Sequence, residues 1–115
     1  MGSTLTELLY HCIWSTKNRE NVILPEHEER IWAALAGTGK RNGIDVIRAG
    51  GVENHVHILA RIPKSLSVAD AMKQIKGGSS KFINAEQILS GSRTFRWQDG
   101  YGAFTVSRSN ADTVE

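Results

Sequence analysis

The sequence predicts an α+β domain of the ferredoxin-like kind, β-α-β-β-α-β, with helices covering an antiparallel sheet. Three observations predict it. Apolar periodicity switches along the chain between strand-like alternation and helical stripes in that order. Two strand-like runs, Ile44–Ala49 and His55–Ile62, lie close enough in sequence to pair as a hairpin. The 115 residues are enough for one core, and 40% hydrophobic content is ordinary for a globular chain. A single domain over residues 1–115 is expected.

Each element has a local reason. Leu5 to Ser15 is apolar and aromatic and predicts the first strand, followed by the polar connection Lys17–Asn21. Pro25 suits the first position of a helix, and Glu26, Glu28 and Glu29 suit the positive end of its dipole. Ile31, Trp32, Ala34 and Leu35 supply its buried side, and its end is expected around Gly37 to Gly39 or shortly after. Ile44–Ala49 is the second strand, Gly50-Gly51 a turn, and His55–Ile62 the third strand, stopped by Pro63. Ser67 to Asp70 resembles a capping box opening a second helix, striped by Val68, Ala71, Met72 and Ile75. Gly77-Gly78 is expected to interrupt it, with Ser79 or Ser80 capping a further helical stretch that carries Phe82, Ile83, Ile88 and Leu89. Gly91-Ser92 reads as a loop, and Thr94–Gln98 and Ala103–Ser107 as short strands about Asp99-Gly100. Ser107–Asp112 looks like a helix start, which one turn cannot sustain alone.

Composition narrows the function classes. No apolar run approaches the length of a membrane span, and the first residues lack a secretory signal pattern. Cys12, the single cysteine, lies in an apolar run and cannot form an internal disulfide, so a buried thiol in a reducing cytoplasm is expected. The net charge of +2 is unevenly spread. Between Arg61 and Arg96, seven basic residues face only Asp70 and Glu86, a local surplus of five. Concentrated positive charge suits a phosphate-rich partner. On charge alone, a solvated helix face with scattered lysines is the better reading.

The most informative segment is Glu53-Asn54-His55-Val56-His57-Ile58-Leu59. On a strand, His55 and His57 share one face while Val56 and Ile58 share the other. Two neighbouring imidazoles on a rigid strand make half of a divalent-metal site, which needs further ligands to be complete. The H-x-H-x-H pattern of histidine-triad nucleotide hydrolases fails, because Leu59 stands at its third position. His11 could face the same surface from the first strand, and His27, in a helix's first turn, is expected in solvent.

Four segments in order resemble one family. Tyr10–Arg19 resembles the opening strand of the single-tyrosine HUH transposases, the small insertion-sequence and REP-associated enzymes that move single-stranded DNA. His55–Leu59 is similar to their histidine–hydrophobe–histidine strand, Lys76–Asn84 to their basic helix junction, and Trp97–Ser107 to the aromatic–glycine strand before their catalytic helix. The resemblance implies tyrosine attack on a DNA phosphate, leaving a 5′-phosphotyrosine and a free 3′-hydroxyl. It implies magnesium or manganese held by His55 and His57 with a third polar ligand. A phenol with a pKa of about 10 is a poor nucleophile at neutral pH, so such activation is chemically required. It further implies single-stranded or hairpin DNA as partner, contacts from Lys73, Lys76, Ser79, Ser80 and Lys81, a homodimer, and a cytoplasmic location.

The chain departs from that pattern at one point. The family's nucleophilic tyrosine lies on the helix after the last strand, which places it beyond Glu115. The tyrosines present are Tyr10 and Tyr101, and Tyr101 matches a family aromatic that is not the nucleophile. The expectation is therefore a chain truncated before its catalytic helix, retaining the fold and part of the DNA surface, with no catalytic residue inside it and Tyr101 as a weak alternative. Two other readings stay open: a non-catalytic nucleic-acid-binding domain on the same scaffold, and a structural domain with satisfied core histidines.

Overall fold

In the structure, a computed structural model that describes residues 7–89 and 94–106, the expected order of elements is found. β1 (Glu7–Ser15) is followed by a single 3-10 turn at Lys17–Arg19 and α1 (Pro25–Arg41). β2 (Asp45–Val52) and β3 (His55–Pro63) form the hairpin, and α2 (Val68–Ala85) leads back towards β4 (Gly102–Val106). The sheet order is β2-β3-β1-β4, and every pairing is antiparallel. This is the α+β sandwich expected, with the two helices on one face. The expected loop at Gly91-Ser92 and helix start at Ser107–Asp112 lie outside the described residues.

The sheet divides the molecule by parity. Cys12 and Trp14 of β1 and Val56, Ile58, Ala60 and Ile62 of β3 are buried on the helix side. There they meet Ile31 and Leu35 of α1 and Ala71, Met72, Ile75 and Ile83 of α2. Each of the valine, isoleucine, leucine and methionine side chains among them contributes about 1.5–3 kcal/mol on leaving water, which makes this face the main source of stability. The other face carries Ile13 and Phe104, 38% and 62% exposed, and His11, His55 and His57.

Four local expectations are corrected, the last of them at Thr94–Gln98. Gly50-Gly51 is not the hairpin turn. Both glycines belong to β2, and the chain turns at Glu53-Asn54. Gly77-Gly78 does not interrupt the second helix, which runs unbroken from Val68 to Ala85. Gly78 sits where α2 touches α1, and a Cβ there would lie 2.5 Å from the Thr38 methyl. Ser79 and Ser80 do not cap a new helix. Their hydroxyls bond back to the carbonyls of Lys76 and Gly77, as serines inside a helix do. The expected cap at Ser67 holds, its hydroxyl accepting from the Asp70 amide at 3.0 Å.

Thr94–Gln98 is no regular strand. It is tied instead by single contacts, with Trp97 bridging Thr16 across an isolated antiparallel step. The Asn84 carboxamide replaces a strand partner, donating to the Phe95 carbonyl and accepting from its amide at 3.0 and 2.7 Å. Trp97 stands edge-on to Trp14 and Phe95 and donates from its indole to the buried Ser79 hydroxyl at 3.0 Å. Two backbone hydrogen bonds flank the Thr16–Trp97 bridge, Lys17 amide to Arg96 carbonyl at 3.0 Å and Gln98 amide to Ser15 carbonyl at 2.9 Å, and aromatic packing with the Asn84 clamp holds the rest of the segment.

Candidate metal and nucleic-acid site

β3 brings His55 and His57 to the open face of the sheet, paired across from Ser15 and Ile13 of β1. The Asn54 carboxamide oxygen lies 3.0 Å from His55 Nδ1. An oxygen can only accept, so Nδ1 is the donor in this contact, and whenever the ring is neutral its lone pair lies on Nε2, where a ligand can take it. His57 is half-buried, and burial lowers its pKa below the ordinary 6.5, with the neighbouring His11 and His55 acting in the same direction. It is therefore neutral at pH 7, the form that binds metal.

β2 makes room for this ring. Ile47 is an extra residue between the paired Val46 and Arg48, a β-bulge that shifts the strand's parity by one. Gly50 consequently faces His57, and a Cβ at Gly50 would stand 3.2–3.3 Å from His57 Cε1 and Nε2. At Gly51 a Cβ would run into the His55 carbonyl, so β2 can lie against β3 only as glycine there.

His11 does share this face. Its ring meets that of His57 edge-on, centroids 5.6 Å apart, and its Nε2 is buried without a hydrogen-bond partner among the described residues. Among those residues, however, no three His, Cys, Asp or Glu side chains are grouped to hold an ion. The two imidazoles thus fit a divalent metal as half of a site: the tautomer, the neutral ring and the glycine opposite all suit it. His27, expected in solvent, is half-buried in the first turn of α1.

The basic residues divide. Lys73 and Lys81 are exposed on α2, on the helix side of the sheet and away from the histidines. Lys76 is spent internally. Its ammonium donates to the carbonyls of Gln98 and Gly100 at 2.7 and 2.8 Å, and burial lowers its pKa while Asp99 opposes the shift. Ser79 is fully buried and held by Lys76 and Trp97, so it cannot reach a strand of DNA. Ser80 is half-buried against the Gly77 carbonyl. Of the five residues expected on a DNA surface, Lys73 and Lys81 are thus exposed and Ser80 is half-buried, while Lys76 and Ser79 are engaged as supports for residues 97–100.

Sequence reasoning missed what those supports build. A cleft of about 740 Å³ opens beside His55, lined among others by Ile13, Arg19, Gln98, Asp99 and Tyr101. Tyr101 is 42% exposed in it. Asn18 and Arg19 on its rim have φ of 57° and 55°, the left-handed region that non-glycine residues enter at a cost of about 1–3 kcal/mol each. The Asn18 amide donates to the Gln98 side-chain oxygen at 2.8 Å and locks that turn to the opposite wall. The only sequence signal was Tyr101 between two glycines, which does not tell which wall it joins.

Comparison with known proteins follows the same lines. A family model described as IS200-like transposase matches residues 4–115. The ISDra2 transposase TnpA of Deinococcus radiodurans is 28% identical over 114 residues, 95% of this chain and 80% of its own. The transposase for insertion sequence element IS200 of Salmonella typhimurium is 26% identical over 106 residues, 89% of this chain and 69% of its own. A crystal structure from Deinococcus radiodurans R1, described as a candidate transposase, superposes with a TM-score of 0.76 at 25% identity, covering 94% of this chain and 85% of that one. A REP-associated tyrosine transposase, bound to a REP hairpin, shares the fold with a TM-score of 0.64 at 12% identity, covering 94% and 61%.

Proposed function

The chain belongs to the IS200-like transposase family, and from that premise we propose that its sheet carries the metal-holding half of a single-strand DNA cleavage and strand-transfer site. The observation that supports this most is the neutral His57 beside a His55 whose Nε2 is left free, both on the open face of the sheet. Magnesium or manganese at this pair would neutralise charge on a DNA phosphate under attack. His55 and His57 would hold it, Asn54 would fix the orientation of His55, and Gly50 would leave His57 its space.

The reaction we assign is attack by a tyrosine hydroxyl on a phosphate of single-stranded DNA, giving a 5′-phosphotyrosine and a 3′-hydroxyl. Neither Tyr10 nor Tyr101 stands on a helix following the last strand. The substrate is a hairpin with single-stranded flanks, held in part by Lys73 and Lys81. The working form is a homodimer acting on cytoplasmic DNA, to be checked by light scattering.

Calorimetry with manganese tests the site. Weak binding by the parent chain, lost in His57→Ala, is the expected result. Equal affinity in the two proteins would remove the histidine pair from the site. Hairpin binding without any metal binding would favour a non-catalytic DNA-binding domain.

A further inference from the structure

We propose that the cleft beside His55 takes one unpaired nucleotide of a DNA strand, with its base against Tyr101 and its phosphate at Arg19. This rests on the reading above and names what lies next to the histidine pair. The cleft's volume of about 740 Å³ accommodates a nucleotide. Its lining combines the features a single-stranded base needs. Tyr101 offers an exposed aromatic face, and Ile13 an exposed apolar surface, 42% and 38% accessible. Arg19 is an exposed guanidinium on the rim, a shape that matches phosphate. Because the Gln98 side-chain oxygen already accepts from the Asn18 amide, its amino group keeps its donors for a base edge. The Asp99 carboxylate, also in the lining, can accept from an exocyclic amine and disfavours a phosphate on its wall.

The cleft is built in advance. Lys76 fastens the wall by bonding the Gln98 and Gly100 carbonyls from behind. The left-handed pair Asn18-Arg19 sets the opposite rim, and the Asn18–Gln98 bond joins the two. A site assembled before binding spends little affinity on ordering itself. Arg19 and His55 line the same cleft, so with one phosphate of the bound nucleotide at Arg19 the next phosphate along the strand would be offered to the histidine pair.

Fluorescence anisotropy tests this, with metal chelated so that the histidine site does not enter. The probes are a labelled hairpin with a single-stranded flank and the same hairpin with abasic sites along the flank. The parent chain should bind the intact flank more tightly than the abasic one. Tyr101→Ser should remove that preference and weaken intact-flank binding roughly five- to hundred-fold, the value of one stacked base. Tyr101→Phe, which keeps the ring, should restore it. Arg19→Gln should weaken both probes. A Tyr101→Ser chain that binds as the parent does, or a Phe variant as weak as Ser, would overturn the cleft proposal while leaving DNA binding intact. Displacement by a free deoxynucleoside monophosphate as effective as by an oligonucleotide would overturn the strand-borne nucleotide. Absence of hairpin binding by the parent chain would overturn the nucleic-acid reading itself, and this proposal with it.

Discussion

His57 shows how much one side chain's chemistry depends on its neighbours. Desolvation first, then His11 and His55, hold its pKa below 6.5, so it stays neutral to lower pH than a free imidazole. A lowered base pKa adds stability that is complete above about pH 6.5 and is lost as pH falls through the folded value. The His57 contribution to manganese affinity should accordingly persist below pH 6.5 and be lost only as pH falls through the lowered folded value, as a calorimetric pH series would show. Gly50→Ala should displace the His57 ring by a few tenths of an ångström and weaken manganese binding roughly ten-fold with the fold retained. Unchanged affinity would mean that the ring has slack. Cys12 behaves oppositely. Burial pushes its thiol from 9.0 up to about 11. The folded chain then keeps a proton that the unfolded chain releases, so its contribution is complete below pH 9 and is lost towards pH 11. The loss is at most about 1.4 kcal/mol per pH unit. Native Cys12 should resist iodoacetamide at pH 8 and react only on unfolding.

At the scale of elements, α2 sets up a direct contest between propensity and packing. Gly77 and Gly78 are adjacent in one helix, and alanine gains about 1 kcal/mol over glycine in a helix interior. A Cβ at Gly77 meets nothing within 4 Å, so Gly77→Ala should raise Tm by about 3–5 °C. At Gly78 the added methyl would press on Thr38 of α1, and overpacking costs about 1–3 kcal/mol. Gly78→Ala should therefore lower Tm or leave it unchanged despite the same gain in propensity. A calorimetric scan of both variants decides it, and equal increases would refute the close helix crossing. Both glycines were plain in the sequence and were read as a break, because composition does not reveal which helix faces another across a contact.

For the whole molecule, the sheet separates two chemistries, histidines on one face and the exposed Lys73 and Lys81 on the helix side. If both lysines contact phosphates, changing them to glutamine should reduce the salt slope of hairpin binding by roughly 0.7 per lost single-strand contact. An unchanged slope would place the DNA path elsewhere. Tyr101 lines the cleft beside His55, and a denaturing gel with labelled hairpin DNA tests whether it attacks the strand. A product abolished by Tyr101→Phe would move the attack to Tyr101.

Local periodicity was enough to read the order of elements, the faces of β3 and the histidine pair, since alternation and helical stripes are written in consecutive residues. Pro25 and Ser67 marked helix starts for the same reason: capping is a contact within one turn. The placement of Gly50 against His57 could not be read this way. It depends on a one-residue bulge at Ile47, and a single-residue slip exchanges the faces of a strand. Nor could the sequence show that Lys76 is spent on the Gln98 and Gly100 carbonyls or that Tyr101 joins His55 in a cleft. Those contacts link residues more than twenty positions apart, and only the packing of α2 and the 97–101 segment about the sheet brings them together.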